Sequence, residues 1–185
     1  TANNIYSTSI EVNRIDNTPP IANFTTTSTD TSITIDASSS TDERSGIKTY
    51  YYSRDNGSSW YSSTTSSYTF TGLTEATIYQ ISVKVEDNAG NESEKIDRNI
   101  VTYGNASQYV TALANISDEI VNDETVDNNL RYIGGNPNNY VRFNDELWRI
   151  IGVFNNIDDG TGTKETRLKI IRNESYNTDI AWDTG

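Results

Sequence analysis

Tyr79-Gln-Ile-Ser-Val-Lys-Val-Glu86 decides the fold. Tyr79, Ile81, Val83 and Val85 alternate with Gln80, Ser82, Lys84 and Glu86. Successive strand side chains point to opposite faces, so one face of this run is apolar and the other is hydrated. Its β-branched residues suit a pleated, half-buried surface. Gly72-Leu-Thr-Glu-Ala-Thr-Ile78 leads into the strand. Tyr79 stands where a corner tyrosine buries its ring and still bonds the backbone just upstream. The run ends in Asp87-Asn-Ala-Gly-Asn91, a dense turn signal.

Working outward, residues 21–27 and 32–35 read as an opening pair of strands, and residues 36–46 as a polar loop. Residues 47–53 read as a central strand, with further strands over 68–71, 78–86 and 94–101. Short strands separated by turn signals predict a seven-strand sandwich. On these residues, 18–102 resembles a fibronectin type III-like or immunoglobulin-like module of bacterial surface proteins. Residues 9–15 also alternate, and Asp16-Asn-Thr-Pro-Pro20 breaks them. Paired prolines stiffen a chain and cannot donate to a ladder, so they suit an interdomain joint. Residues 1–17 are therefore expected to be the last strand and linker of a preceding module. The other reading makes residues 1–15 the first strand of this module.

Composition bounds the chemistry. The 185 residues hold no cysteine and no histidine, which removes thiol chemistry, the usual general base and the commonest zinc ligand. No enzyme is expected. Fourteen bases face 26 acids, for a net charge of −12, with no basic block. Phosphate backbones and anionic membranes both draw affinity from clustered Lys and Arg, so neither is an expected partner. No apolar run approaches the ~20 residues that span a bilayer, so no membrane insertion is expected within this segment. The abundance of Thr, Ser, Asn and Tyr suits a secreted, β-rich excerpt of a longer exported protein.

Several residues invite functional readings. Ser53-Arg-Asp-Asn-Gly-Ser-Ser-Trp60 resembles the Asp-box hairpin found in sialidases, where it is a structural turn. Asp55 would cap turn amides, Gly57 would take a left-handed conformation and Trp60 would pack over the loop. If Ile47, Thr49 and Tyr51 face inward, Tyr50 and Tyr52 share the outer face near Trp60 and Tyr61. Such a row would stack on sugars or anchor a protein interface, or simply cover a neighbouring strand. Asp36, Asp42 and Asp87, with Glu43 and Asn88, could converge to hold Ca²⁺ by hard oxygen donors. Turn formation and solubility explain the same residues. No other cofactor is expected.

A second unit is expected over 103–185. Ala106, Tyr109, Val110, Leu113 and Ile116 recur at three- and four-residue spacing, which predicts an amphipathic helix of about three turns capped by Asn105 or Ser107. Residues 117–129 carry five acids and no base and read as a solvated loop. Asp118, Asp123 and Asp127 are divalent-ion candidates within it. Strands are expected over 140–143, 147–154 and 166–171, giving a β-meander with one helix, an α+β unit. Residues 130–154 resemble a module of large surface or secreted proteins of Gram-positive gut bacteria, where it follows immunoglobulin-like repeats. The resemblance implies location and architecture, not chemistry. The trailing Ala181-Trp-Asp-Thr-Gly185 reads as a truncation inside that module.

Gly134-Gly-Asn-Pro-Asn-Asn139 lacks the lysine and following helix of a phosphate loop. Asp158-Asp-Gly-Thr-Gly162 and Asp183-Thr-Gly185 look superficially like the aspartic-protease D-T-G, which needs two carboxylates sharing a proton between lobes. A Lys–Asn isopeptide bond would need a buried lysine; the candidates are Lys48, Lys84, Lys95, Lys164 and Lys169.

The fold expected is therefore mainly β, an immunoglobulin-like or fibronectin type III-like sandwich followed by a small α+β domain. The function expected is that of a non-catalytic, adhesin-like binding region on a bacterial cell surface. Its partner would be a host protein, such as an immunoglobulin or other glycoprotein, or a glycan. A structural spacer is the alternative, and a carbohydrate-binding accessory module of a secreted glycosidase a more distant one.

Overall fold

The structure is a computed structural model and describes residues 16–174. The readings of residues 1–15 and of Ala181–Gly185 lie outside those residues. The fold is mainly β, with antiparallel sheets and one short helix among the described residues.

Seven strands open the chain: β1 (Thr25–Ser28), β2 (Ser32–Asp36), β3 (Ile47–Ser53), β4 (Tyr61–Ser63), β5 (Ser67–Thr71), β6 (Ile78–Asp87) and β7 (Ile96–Val101). They form a three-stranded sheet in the order β1-β2-β5 and a four-stranded sheet in the order β4-β3-β6-β7. The central run behaves as its alternation dictates: Ile81, Val83 and Val85 are fully buried. They lie inside with Phe24, Ile35 and Phe70. The Tyr79 phenol accepts a hydrogen bond from the backbone N–H of Thr74 at 2.9 Å, closing the corner. The strand β4 carries no signal in the sequence. Its three residues, Tyr-Ser-Ser, are too few and too polar to show a period.

The parity of β3 differs from expectation. Ile47 pairs with Asp87, but the next register pair is Thr49 with Glu86, so a bulge intervenes. Because the side-chain period is two, that single extra residue moves every later side chain to the other face. Tyr50 and Tyr52 then stand opposite Val85 and Val83 on the inner face, and Tyr51 stands opposite Lys84 on the outer one.

Five strands and one helix follow: α1 (Ala106–Leu113), β8 (Ile120–Asn122), β9 (Leu130–Tyr132), β10 (Tyr140–Phe143), β11 (Glu146–Asp158) and β12 (Lys164–Arg172). Asn105 caps α1: its side chain accepts from the Gln108 N–H while the Gln108 side chain accepts from the Asn105 N–H. The helix is shorter than expected, because its periodicity runs on into a turn. No helix among the described residues is long and apolar enough to cross a membrane. Val110 of α1 packs with Ile120, Ile150 and Val153, flanked by Leu130, Val141, Leu168 and Ile170.

The sheet is not a simple meander. The long β11 pairs β12, and also pairs both β10 and β9, with β8 beyond β9. Residues 117–129 are thus not all loop, since Ile120–Asn122 is a strand. Gly152 makes the β9–β11 contact possible: a Cβ there would lie 2.0 Å from the Leu130 carbonyl oxygen. Asn139 anchors β10, its backbone carbonyl accepting from the Ile150 N–H and its side-chain amide donating to the Ile150 carbonyl at 2.7 Å.

The chain divides into two compact units. One comprises the described residues up to Thr27 with Thr34–Phe70 and Gln80–Arg98. The other comprises Ser28–Ile33, Thr71–Tyr79 and the residues from Asn99 onward.

Candidate functional site

The four aromatic residues singled out from the sequence do not share an outer face. Tyr52 is fully buried, its hydroxyl donating to the Thr65 carbonyl at 3.0 Å. Its ring stacks on Tyr68 at 5.3 Å between centroids and on Tyr50 at 6.5 Å. Burial pushes the Tyr52 phenol well above its usual range. Tyr61, on the edge strand β4, is 40% exposed and leans on Tyr68 and Phe70. Only Trp60 turns outward as expected, and its neighbour there is Tyr51 rather than Tyr50. The Lys84 ammonium lies over both rings, 4.8 Å from the Tyr51 centroid and 5.5 Å from that of Trp60. Tyr51 donates to Glu86 at 2.6 Å, and that hydrogen bond, reinforced by burial, raises its pKa from 10.0 to about 12.

The Asp-box reading as a structural turn agrees with the geometry. Asp55 accepts from the Ser53 hydroxyl at 2.7 Å and from the Ser59 N–H at 2.9 Å. These bonds, the one from Ser53 first, pull its pKa from 3.8 to about 2. Gly57 has φ +83°, and a Cβ on it would meet the Trp60 ring at 3.0 Å.

Of the three carboxylates proposed for Ca²⁺, the structure brings two together. Asp42 and Asp87 offer oxygens within 4.8 Å of each other and of Asp16, whereas Asp36 is elsewhere, exposed and capping the Ser38 N–H. Nothing in the sequence around Asp16 marks it as a ligand, because the adjacent prolines make it read as linker. Its side chain accepts from the Thr18 N–H at 3.0 Å and from the Ser45 N–H at 3.1 Å, and its carbonyl accepts from the Asn91 amide. Asp87 is fully buried. Burial raises its pKa, but hydrogen bonds from Asn91 and from the amides of its turn outweigh that and hold it below the usual range. One Asp42 oxygen accepts from the Arg44 and Gly46 N–H groups, while the other, Oδ1, is buried without a partner. Three close carboxylates with one such oxygen fit a hard divalent cation.

The second unit's acids are otherwise engaged. Asp123 accepts from Thr125, Asn129 and the Arg131 guanidinium, which together drive its pKa far down. Asp158 and Asp159 cap the amides of their own turn, at Gly160 and Gly162 and at Thr161 and Thr163. Four of the candidate lysines form exposed ion pairs: Lys48 with Glu86, Lys84 with Glu92, Lys95 with Asp97 and Lys164 with Asp158. Lys169 is exposed over the Phe154 ring. None has the burial an isopeptide bond requires.

The feature that sequence reasoning missed is the outer face of the second unit's sheet. Tyr140, Leu147 and Ile171 are 42%, 45% and 54% exposed. The register places Tyr140 opposite Arg149, Leu147 opposite Arg142, and Arg149 opposite Ile171. All lie on the side away from Val141 and Ile150, which face α1. The Arg149 guanidinium sits 5.6 Å from the Tyr140 ring centroid. The visible signal was the alternation of basic and apolar residues in 167–170, Arg-Leu-Lys-Ile.

No family model matches the chain, and no curated protein matches it. Among solved structures, the chain is similar to chitinase ChiA74 from Bacillus thuringiensis, at 28% identity and a TM-score of 0.43 over 50% of this chain and 15% of that one. It is also similar to a structure described as the basis for promiscuous specificity of carbohydrate-binding modules from the β-sandwich superfamily. There the identity is 18% and the TM-score 0.44, over 84% of this chain and 55% of that one. The chain thus spans about half or less of the length of these structures, and neither overlap is close enough to carry a fold or a function to it.

Proposed function

We propose that this chain is a non-catalytic binding region of a bacterial surface protein, built from an immunoglobulin-like or fibronectin type III-like sandwich and an α+β module. The strand orders β1-β2-β5 and β4-β3-β6-β7 support the first part of that description. The single observation that carries the binding role is the second unit's outer sheet face, where exposed Tyr140, Leu147 and Ile171 adjoin Arg142 and Arg149. Aromatic and arginine side chains are the groups that most often anchor interfaces. The ligand is a glycan or a glycoprotein, host immunoglobulin included.

The test is retention of host serum glycoproteins, mucins and a glycan array on the whole immobilised chain, beside a hydrolysis assay on any glycan retained. Specific retention without turnover is expected. Turnover of a retained glycan would refute the non-catalytic reading, and no retention at all would leave the spacer role. One observation favours that second reading. The joint before Pro19-Pro20 is tied down through Asp16, which bonds Ser45 and Asn91 of the sandwich, and a pinned joint is what a stiff stalk needs.

A further inference from the structure

Against a net charge of −12, one surface of the second unit is cationic. Arg142 and Arg149, with Lys169 opposite Gly152, share the outer face of the β10-β11-β12 sheet. None of the three has a carboxylate partner among the described residues. Aromatic rings hold two of them in place. Arg149 lies over Tyr140, and Lys169 lies 5.4 Å from the Phe154 centroid, with Arg131 at 4.9 Å from the same ring. A ring beneath a cation orients it without using any of its hydrogen-bond donors. The guanidinium forks therefore stay available for two-point bonding to carboxylate or sulfate oxygens. The half-exposed Tyr140, Leu147 and Ile171 between them supply apolar contact at the same level.

We propose that this face binds an acidic polysaccharide, a chain of sugars bearing carboxylate or sulfate groups. The proposal rests on the binding-module reading and names its ligand class. Charge complementarity selects an anion. The placement selects a polymer lying across the sheet, because Arg142, Arg149 and Lys169 come one each from the adjacent strands β10, β11 and β12 and project from one face. An acidic peptide in extended form would bond main chain to an open edge, and an amphipathic helix would need a groove. Nucleic acid is disfavoured because the acidic remainder of the chain repels a densely charged duplex at range.

The experiment measures binding of the whole chain to surfaces of heparin, polygalacturonate, dextran and duplex DNA. The first two separate sulfate from carboxylate, and dextran is the neutral control. Binding to heparin or polygalacturonate is expected. With about three cations engaged, it should weaken roughly 20- to 40-fold for a fourfold rise in salt. The double variant Arg149→Gln with Lys169→Gln should lose at least tenfold in affinity, and Arg142→Gln alone severalfold. Each should keep the wild-type melting temperature, since these side chains are not in the core. Equal binding to dextran, preferential binding to DNA, or unchanged affinity in the folded variants would overturn the proposal. Retention of a neutral glycan or a protein, with no polyanion bound, overturns this assignment but leaves the binding-module reading standing. Retention on none of these four surfaces overturns this assignment, and the binding-module reading falls with it only when serum glycoproteins, mucins and the glycan array are not retained either.

Discussion

Truncating Tyr52 tests the inverted parity of β3 directly. The ring is fully buried, stacked between Tyr50 and Tyr68, and its hydroxyl donates to the Thr65 carbonyl. Tyr52→Phe removes only the hydroxyl and leaves the carbonyl short of a partner, at a cost of about 1 kcal/mol. Tyr52→Ala also removes the ring and leaves a cavity, at a cost of about 3–5 kcal/mol. For a unit of this size each kcal/mol lowers the melting temperature by roughly 4–8 °C, so the alanine variant should melt roughly 12–40 °C lower. The phenylalanine variant should lose less than half of that. Urea and thermal melts followed by circular dichroism at the β-sheet band measure both. Were Tyr52 on the outer face, as simple alternation from Ile47 suggests, Tyr52→Ala would be nearly neutral in stability and would act on ligand binding instead. That outcome would refute both the bulge between Ile47 and Thr49 and the core assignment.

Three further outcomes follow from the geometry. Gly152→Ala drives a Cβ into the Leu130 carbonyl and should cost about 3 kcal/mol or more, detaching β9 from β11; a lone transition at the wild-type temperature would refute the close approach. The Tyr51 pKa is raised from 10.0 to about 12, so its contribution to stability is complete below pH 10 and is lost as pH rises towards 12. Asp55 shifts the other way, from 3.8 to about 2, so its contribution is present above pH 3.8 and is lost as pH falls through 2. Stability curves that are flat across both windows, in comparison with Tyr51→Phe and Asp55→Asn, would contradict these couplings. Adding Ca²⁺ to chelator-treated protein should raise the first unit's melting temperature, with the gain absent in Asp42→Asn and unchanged in Asp36→Asn; an identical melt with and without the ion would remove the cation reading of Asp16, Asp42 and Asp87.

Local periodicity was enough to place the strands that carry it. The run through Ile81, Val83 and Val85 appears where alternation puts it, because burying one face of a strand is a property of the strand itself. The corner tyrosine, the Asp-box turn and the Asn105 cap were equally visible, since each closes its hydrogen bonds within a few residues. Strands of three residues, such as β4, β8 and β9, exist only because a neighbouring strand pairs with them, so nothing in their own residues announces them.

What the tertiary structure alone decided is which side chains meet. One bulged residue in β3 turned Tyr52 from a surface candidate into core, and parity cannot be read from a run of three consecutive tyrosines. The carboxylate cluster draws Asp16, Asp42 and Asp87 from positions 26 and 45 residues apart, a closure that depends on how two loops fold back against the end of β6. The cationic face likewise assembles from strands paired across the sheet, each contributing one or two charges too few to stand out against −12. Sequence determines what each segment must bury; only long-range pairing determines what it then presents.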